Sequence, residues 1–240
     1  MRMRRKIMIP MLIVAILSFG MVGMAQANMA TWIFAPGPTS VDLGTAAYTF
    51  YDTTSGASVP LPVIGVQVTN LPPSPIAIGD SWDPGALTRE NLYEKYTSGD
   101  ISETGLGFTN TTAHEIQVNN FIELDTAGVK AAGYSAMTLG IGSMQADEGF
   151  YLWGSNNLAG PLTLLYTALG LPDVQSVDIP DFGKYQYFAV SATPPGVSGA
   201  SDVLILNGAQ AVPIPGAVFL LGSGLVGLVG YGRSRKYLKS

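Results

Sequence analysis

Hydrophobic positions fall into three regimes along this chain. Residues 7–24 are apolar almost without interruption. Residues 28–207 instead carry short apolar runs cut by Gly, Pro, Ser, Asn and Asp. Residues 217–231 are apolar again and rich in glycine. In the middle regime the runs alternate in polarity with a period of two, and turn residues separate them at short intervals. That pattern predicts half-buried strands joined by turns. Strands are expected at 31–34, 46–51, 63–68, 121–125, 135–141, 150–153, 162–166, 185–192 and 203–206. Residues 87–96 read as one short helix, bounded by Gly85 and Gly99. Residues 207–211, and 208–211 in particular, read as a linker between the body and the last apolar run. No strand–helix alternation supports a parallel sheet, so the expected class is all-β: an antiparallel β-sandwich or jelly roll.

The two end regimes have flanks that give them meaning. Arg2, Arg4, Arg5 and Lys6 precede the first apolar run, and Ala25-Gln26-Ala27 follows it. A basic start, an apolar run and a small-x-small site read as a signal peptide over residues 1–27, cut after Ala27 to leave Asn28 first. At the other end, Val212-Pro213-Ile214-Pro215-Gly216 precedes an uncharged stretch at 216–232, and Arg233, Arg235, Lys236 and Lys239 follow. As a helix, that stretch reaches roughly 25 Å, close to the minimum for a bilayer core. The two prolines cannot sit inside it. The basic cluster resists translocation and belongs on the cytoplasmic side, so the body lies on the other. From the residues alone, this tail is either a plain anchor or a sorting signal.

The tail resembles that of the bacterial PEP-CTERM proteins, which are substrates of membrane peptidases called exosortases. Their tails join a Val-Pro-x-Pro break, a Leu/Gly-rich helix and a terminal basic cluster. Val212-Pro213-Ile214-Pro215-Gly216-Ala217 is similar to a common variant, with Ile214 where the name-giving Glu would stand. The resemblance implies an exosortase-type partner and membrane retention until the tail is removed. It also implies a final place at the cell surface or outside the cell. Residues 103–207 resemble a recurrent ectodomain of the same family, through Gly105-Leu106-Gly107-Phe108, His114-Glu115-Ile116 and 121–125, then 149–156 and 185–190. The last of these segments also look like discoidin-type, galactose-binding-like jelly rolls.

Charge changes the picture of the body. Eight of the 12 basic residues lie in the two end segments, while all 17 acidic residues lie between them. The body therefore carries four basic residues and a net charge near −13, which leaves no electrostatic footprint for nucleic acid. The chain has no cysteine, so thiolate metal sites and cysteine nucleophiles are excluded and disulfides cannot support the fold.

Candidate chemistry is sparse. The single histidine, His114, has no Gly-x-Ser-x-Gly partner motif and reads as a turn or strand-edge residue. Glu115, Glu123, Asp125, Asp147 and Glu148 are the oxygen ligands from which a calcium site would be built; a solvated acidic face is the plainer expectation. Trp32, Trp82 and Trp153 are either core residues or stacking surfaces for sugars. Asn110-Thr111-Thr112 fits the N-glycosylation pattern. Neither a catalytic set nor a cofactor is expected. Taken with the resemblance, the sequence reads as an exported, non-enzymatic cell-envelope or matrix protein linked to extracellular polysaccharide. A carbohydrate-binding module is the alternative, and a secreted hydrolase the weaker one.

Overall fold

The β-rich pattern is realised, among the described residues, as fifteen strands and a single helical turn. The computed structural model describes residues 29–213, except Pro36, Thr112, 145–147, 170–174 and 194–203; side chains at 204–207 are also outside the description. The early strands are β1 (Ala30–Trp32), β2 (Val41–Asp42), β3 (Ala47–Tyr51), β4 (Pro60–Val68), β5 (Ser81–Trp82), β6 (Leu87–Arg89) and β7 (Leu92–Lys95). Then come β8 (Gly105–Phe108), β9 (Asn120–Asp125), the turn α1 (Ala127–Ala131) and β10 (Tyr134–Gly142). The chain continues through β11 (Gly149–Ser155), β12 (Leu162–Leu169), β13 (Gln175–Asp178), β14 (Tyr187–Ala192) and β15 (Leu204–Pro213).

All the pairings are antiparallel and form two sheets. The first has the order β13-β10-β15-β8-β7-β2, with β1 also on β15. The second has the order β3-β4-β9-β14-β11-β12-β5, with β6 also on β4. Local chemistry explains where pairing stops. Pro60 and Pro62 have no N–H, and the ladder of β4 with β9 begins only at Val63. The β3–β4 hairpin closes through Asp52, whose carboxylate accepts from the backbone N–H groups of Thr31, Thr54 and Ser55. Burial raises the Asp52 pKa, but these bonds and the Ser55 hydroxyl hold it down at about 2.

The main core lies between the sheets. Trp32, Leu92, Leu106, Phe108, Met137 and Leu139 meet Leu61, Ile122, Leu124, Phe150, Leu152 and Phe188. A second cluster covers the other face of the eight-stranded sheet: Ile64, Val66, Phe121, Tyr151, Trp153 and Leu164 pack under Trp82 and Ile76. The central strands of that sheet are therefore buried on both faces, which is why β11 has no exposed residue despite its antiparallel pairing. Close backbone approach is permitted by Gly107, where a Cβ would lie 2.0 Å from the carbonyl oxygen of His114.

Two expectations need correction. Residues 87–96 do not form a helix. Helices this short are marginal alone, and here the segment crosses between the sheets. β6 pairs with β4 in one sheet, while β7 pairs with β8 and β2 in the other. At the crossing, Glu90 N–H donates to Gly65 and Leu92 N–H to Thr45. Residues 208–211 are not a linker. They belong to β15 and pair with β1 on one side and β10 on the other. The folded body therefore extends at least to Pro213, not only to residue 207. The proposed signal peptide with Ala25 and Ala27, and the tail residues Ile214, Pro215, Gly216, Arg233, Arg235, Lys236 and Lys239, lie outside the described residues. Among the described residues no helix is long and apolar enough to cross a membrane.

A body cut at residue 207 should therefore fail to fold, because β1 and the first half of β10 lose their partner. A body of residues 28–213 should give a β-type far-UV circular dichroism spectrum and one cooperative thermal transition. A folded 28–207 fragment would contradict this topology.

Candidate functional site

Three groups of polar side chains are candidates for chemistry, two of them in the interior and one at its rim; other buried polar residues, such as Glu90 with Asn120, pair with one another. The first is built on β7, the loop before β8, the turn before β9 and the end of β10. Lys95 Nζ donates to Glu103 Oε2 at 2.5 Å and also to Glu115 Oε1. Ser143 Oγ lies 2.8 Å from Glu103 Oε1 and 2.9 Å from Glu115 Oε1. One hydroxyl proton serves only one of these carboxylates at a time. Burial pushes Glu115 up, against the pull of Lys95. Burial also acts upward on Glu103, but the hydrogen bonds from Lys95 and Ser143 outweigh it and hold that carboxyl below its usual range. Ser143 is held at φ +57, an uncommon conformation for a residue with a side chain. A shallow recess lined by Tyr96, Thr97, Gly99, Asp100, Ile101 and Thr104 opens near this network.

The second is Glu123, at the centre of β9 and fully buried on the outer face of its sheet. Its carboxylate accepts from Ala159 N–H, at 2.9 Å to Oε2. Burial raises its pKa to about 7; the Ala159 bond and the charge of Arg89 oppose the rise, and Asp125 adds to it. Glu115 and Glu123 thus do not form the expected solvated acidic face. Burial was hidden in the sequence because Glu123 sits on a strand whose second face is also covered, while Glu115 lies in a turn that folds onto Lys95 and Ser143.

The third lies at the rim, where β9 ends and β14 begins. Gln186 Nε2 donates to Asp125 Oδ1 at 3.2 Å, and Gln186 N–H donates to Asn156 Oδ1 at 3.0 Å. The half-buried Tyr187 pairs with Asp125 on one side and Ser155 on the other. Asn156 is exposed. Asn156 was legible only as part of a Gly-Ser-Asn strand end, and Gln186 gave no signal at all.

The five calcium candidates are not gathered. Glu115 belongs to the lysine network, Glu123 to the outer face and Asp125 to the rim; Glu148 is half-buried, and Asp147 lies outside the described residues. Among the described residues no three His, Asp or Glu side chains come together as a metal site. His114 occupies a turn at φ +59, its ring stacked on Tyr93 with centroids 3.9 Å apart. The three tryptophans are core. Trp32 donates to Val59 O, and Trp153 to Ser191 Oγ. Trp82 Nε1 is buried without a partner among the described residues. Asn110 is exposed while Thr111 is buried, its hydroxyl donating to Glu115 O at 3.0 Å. Val212 and Pro213, the first residues of the tail motif, are the end of β15.

Neither a protein-family model nor a curated protein matches the chain. Among solved structures, one described as the CBM51-2 and INT domains from Clostridium perfringens ZmpB is similar, with a TM-score of 0.30 and 6% identity. The match covers 78% of this chain but 41% of that one, and a likeness this low transfers neither fold nor function.

Glu123 gives the site a pH signature. Its folded pKa of about 7 lies above the usual 4.5, so the folded state binds the extra proton between these values. Its contribution is greatest below pH 4.5 and is lost as pH rises through 7, by roughly 3 kcal/mol in total. Urea unfolding midpoints should fall between pH 5 and 8, and Glu123→Gln should flatten that fall. An unchanged slope in the variant would remove Glu123 as its source.

Proposed function

We propose that this chain is an exported, non-enzymatic cell-envelope or matrix protein, sorted by its C-terminal tail. The observation that carries this reading is an order of parts: a self-contained acidic β-sandwich, then a Val-Pro-Ile-Pro break, an uncharged span and a basic stop. The span suits a short membrane helix, and the basic cluster sets its orientation. Pro213, at the end of β15, and Pro215 keep a helix from starting before Gly216, so a membrane-embedded peptidase of the exosortase type would meet extended chain at the edge of the body. An acidic body with no disulfide fits a protein that must stay soluble outside the cell and rely on packing alone. Extracellular polysaccharide is the partner class that the family resemblance suggests.

A second reading, a carbohydrate-binding module, is favoured by the rim. Asp125, Gln186 and Asn156 place a carboxylate and two amides beside Tyr187, and such groups bind sugar hydroxyls while a ring packs on the apolar face of a pyranose. On a glycan array the body should then bind a defined sugar, and Asn156→Ala should abolish that signal without changing the melting temperature. Binding that survives Asn156→Ala, or no binding to any glycan, removes the rim as a sugar site.

The sorting reading is tested in a host that carries an exosortase. Mass spectrometry of mature protein should find no residue after about Pro215. Deleting 233–240 should impair retention and processing, and replacing Pro213 and Pro215 by Ala should leave the protein inserted but uncut. Full-length protein ending at Ser240 in the mature envelope fraction would reduce the tail to an anchor.

A further inference from the structure

The last two residues of β15, Val212 and Pro213, are also the first two of the tail motif. Ala211 is paired on both sides, with Ala30 of β1 and Met137 of β10. Among the described residues Val212 and Pro213 are paired on one side only, with Ala136 and Tyr134 of β10. Between those two partners the register slips, leaving Ser135 as the extra residue of a bulge. Pro213 has no N–H to give to the ladder. Val212 is also 46% exposed, so little apolar burial holds it down. The double-sided pairing of β15 thus changes to a weak, single-sided one at the residue where the motif begins.

We propose that opening of this two-residue strand end, Val212 and Pro213 leaving β10, controls processing of the tail. The inference rests on the sorting reading. Enzymes that cut or transfer peptides take their substrate as an extended strand, hydrogen-bonding its backbone on both sides of the scissile bond. A residue already paired in a sheet is not free to do this. Only Ile214 and Pro215 separate β15 from Gly216, where the uncharged span starts. Two residues are too few for such a grip upstream of a cut after Pro215, so Val212 and Pro213 must come free first. In that cut, water adds to the Pro215 carbonyl carbon, the C–N bond to Gly216 breaks, the body keeps a carboxylate and the tail leaves with the amine. The same pairing sets the upstream limit. Freeing Ala211 would break bonds to β1 and β10 together and open the centre of the sheet, so cuts before Val212 do not occur while the body is folded. The bulge and the proline serve as a built-in release point.

The test is a reversible lock. The chain has no cysteine, so Ala136→Cys with Val212→Cys makes a single possible disulfide. Directly opposed residues of antiparallel strands have Cα atoms about 4.5–5.5 Å apart, within disulfide range. Both side chains are exposed, so the core is untouched. The full chain is expressed in the exosortase-bearing host, and processing is followed by pulse-chase with mass spectrometry of the mature C-terminus. The oxidised double variant should be processed at least about tenfold more slowly than Val212→Cys alone, an added opening cost of ~1.4 kcal/mol or more. Reductant should restore the rate. Inserting Gly-Ser-Gly-Ser between Ala211 and Val212 frees the motif from the sheet and should speed processing. Should the oxidised double variant be cut as fast as the single variant, or the insertion variant more slowly than the unmodified chain, strand opening is not the control. The unmodified chain separates the two ideas: if it is never cut, the sorting reading fails and takes this inference with it.

Discussion

The pairing of β15 is the interaction on which the first sheet depends. This one strand hydrogen-bonds to β1, β8 and β10, so it joins the earliest strand of the body to strands from its middle. Without it β1 has no neighbour in the sheet, and β10 keeps only β13. The seven-stranded sheet is therefore not complete until the last residues of the body are in place. Such non-local pairing is slow to form, because loop closure must precede the contacts that reward it. It also ties the stability of the whole body to a segment that abuts the tail.

The second sheet is organised by a different constraint, burial on both faces. One face meets the main core and the other lies under the segment from Thr69 to Trp82, pinned to β12 by Gly79 and Asp80. A polar residue on either face of the central strands is then sealed in. Glu123 is the clearest case, a carboxyl at the centre of a strand whose nearest donor is a single backbone N–H. A group in that position relieves the cost of burial by holding its proton, which is why its titration moves toward neutrality. Glu115 meets the same problem differently, by sharing Lys95 and Ser143 with Glu103. The acidity that looks like surface charge in the composition is thus partly an interior property.

The strands most easily read from sequence were those with a strong local signature. β9, β10, β11, β12 and β14 appeared within a residue or three of their true bounds, because β-branched and aromatic runs alternated between clear turn residues. The short strands β2, β5 and β6 carried no such signal, since two or three residues form a strand only when a longer neighbour offers its edge. The segment 87–96 misled because a run bounded by Gly85 and Gly99 reads as one element, whereas it holds two strands in different sheets. Residues 208–211 misled because small side chains, Gly208, Ala209 and Ala211, look like linker but are what a crowded central strand accepts.

The sequence by itself determined what depends on composition and short-range pattern: an all-β body, an acidic middle between basic ends, no thiol chemistry, and a tail whose break, span and stop occur in a fixed order. Tertiary structure decided everything that depends on which strand lies beside which. It put Glu103, Glu115, Lys95 and Ser143 in one network across four segments, buried Glu123 under a turn from β11 to β12, and kept the calcium candidates apart. It also drew the last strand through to Pro213, so that the end of the fold and the start of the tail motif coincide. The physical reason is that period and propensity act over a few residues, whereas pairing partners and the covering of a second face are set by chain segments far apart in sequence.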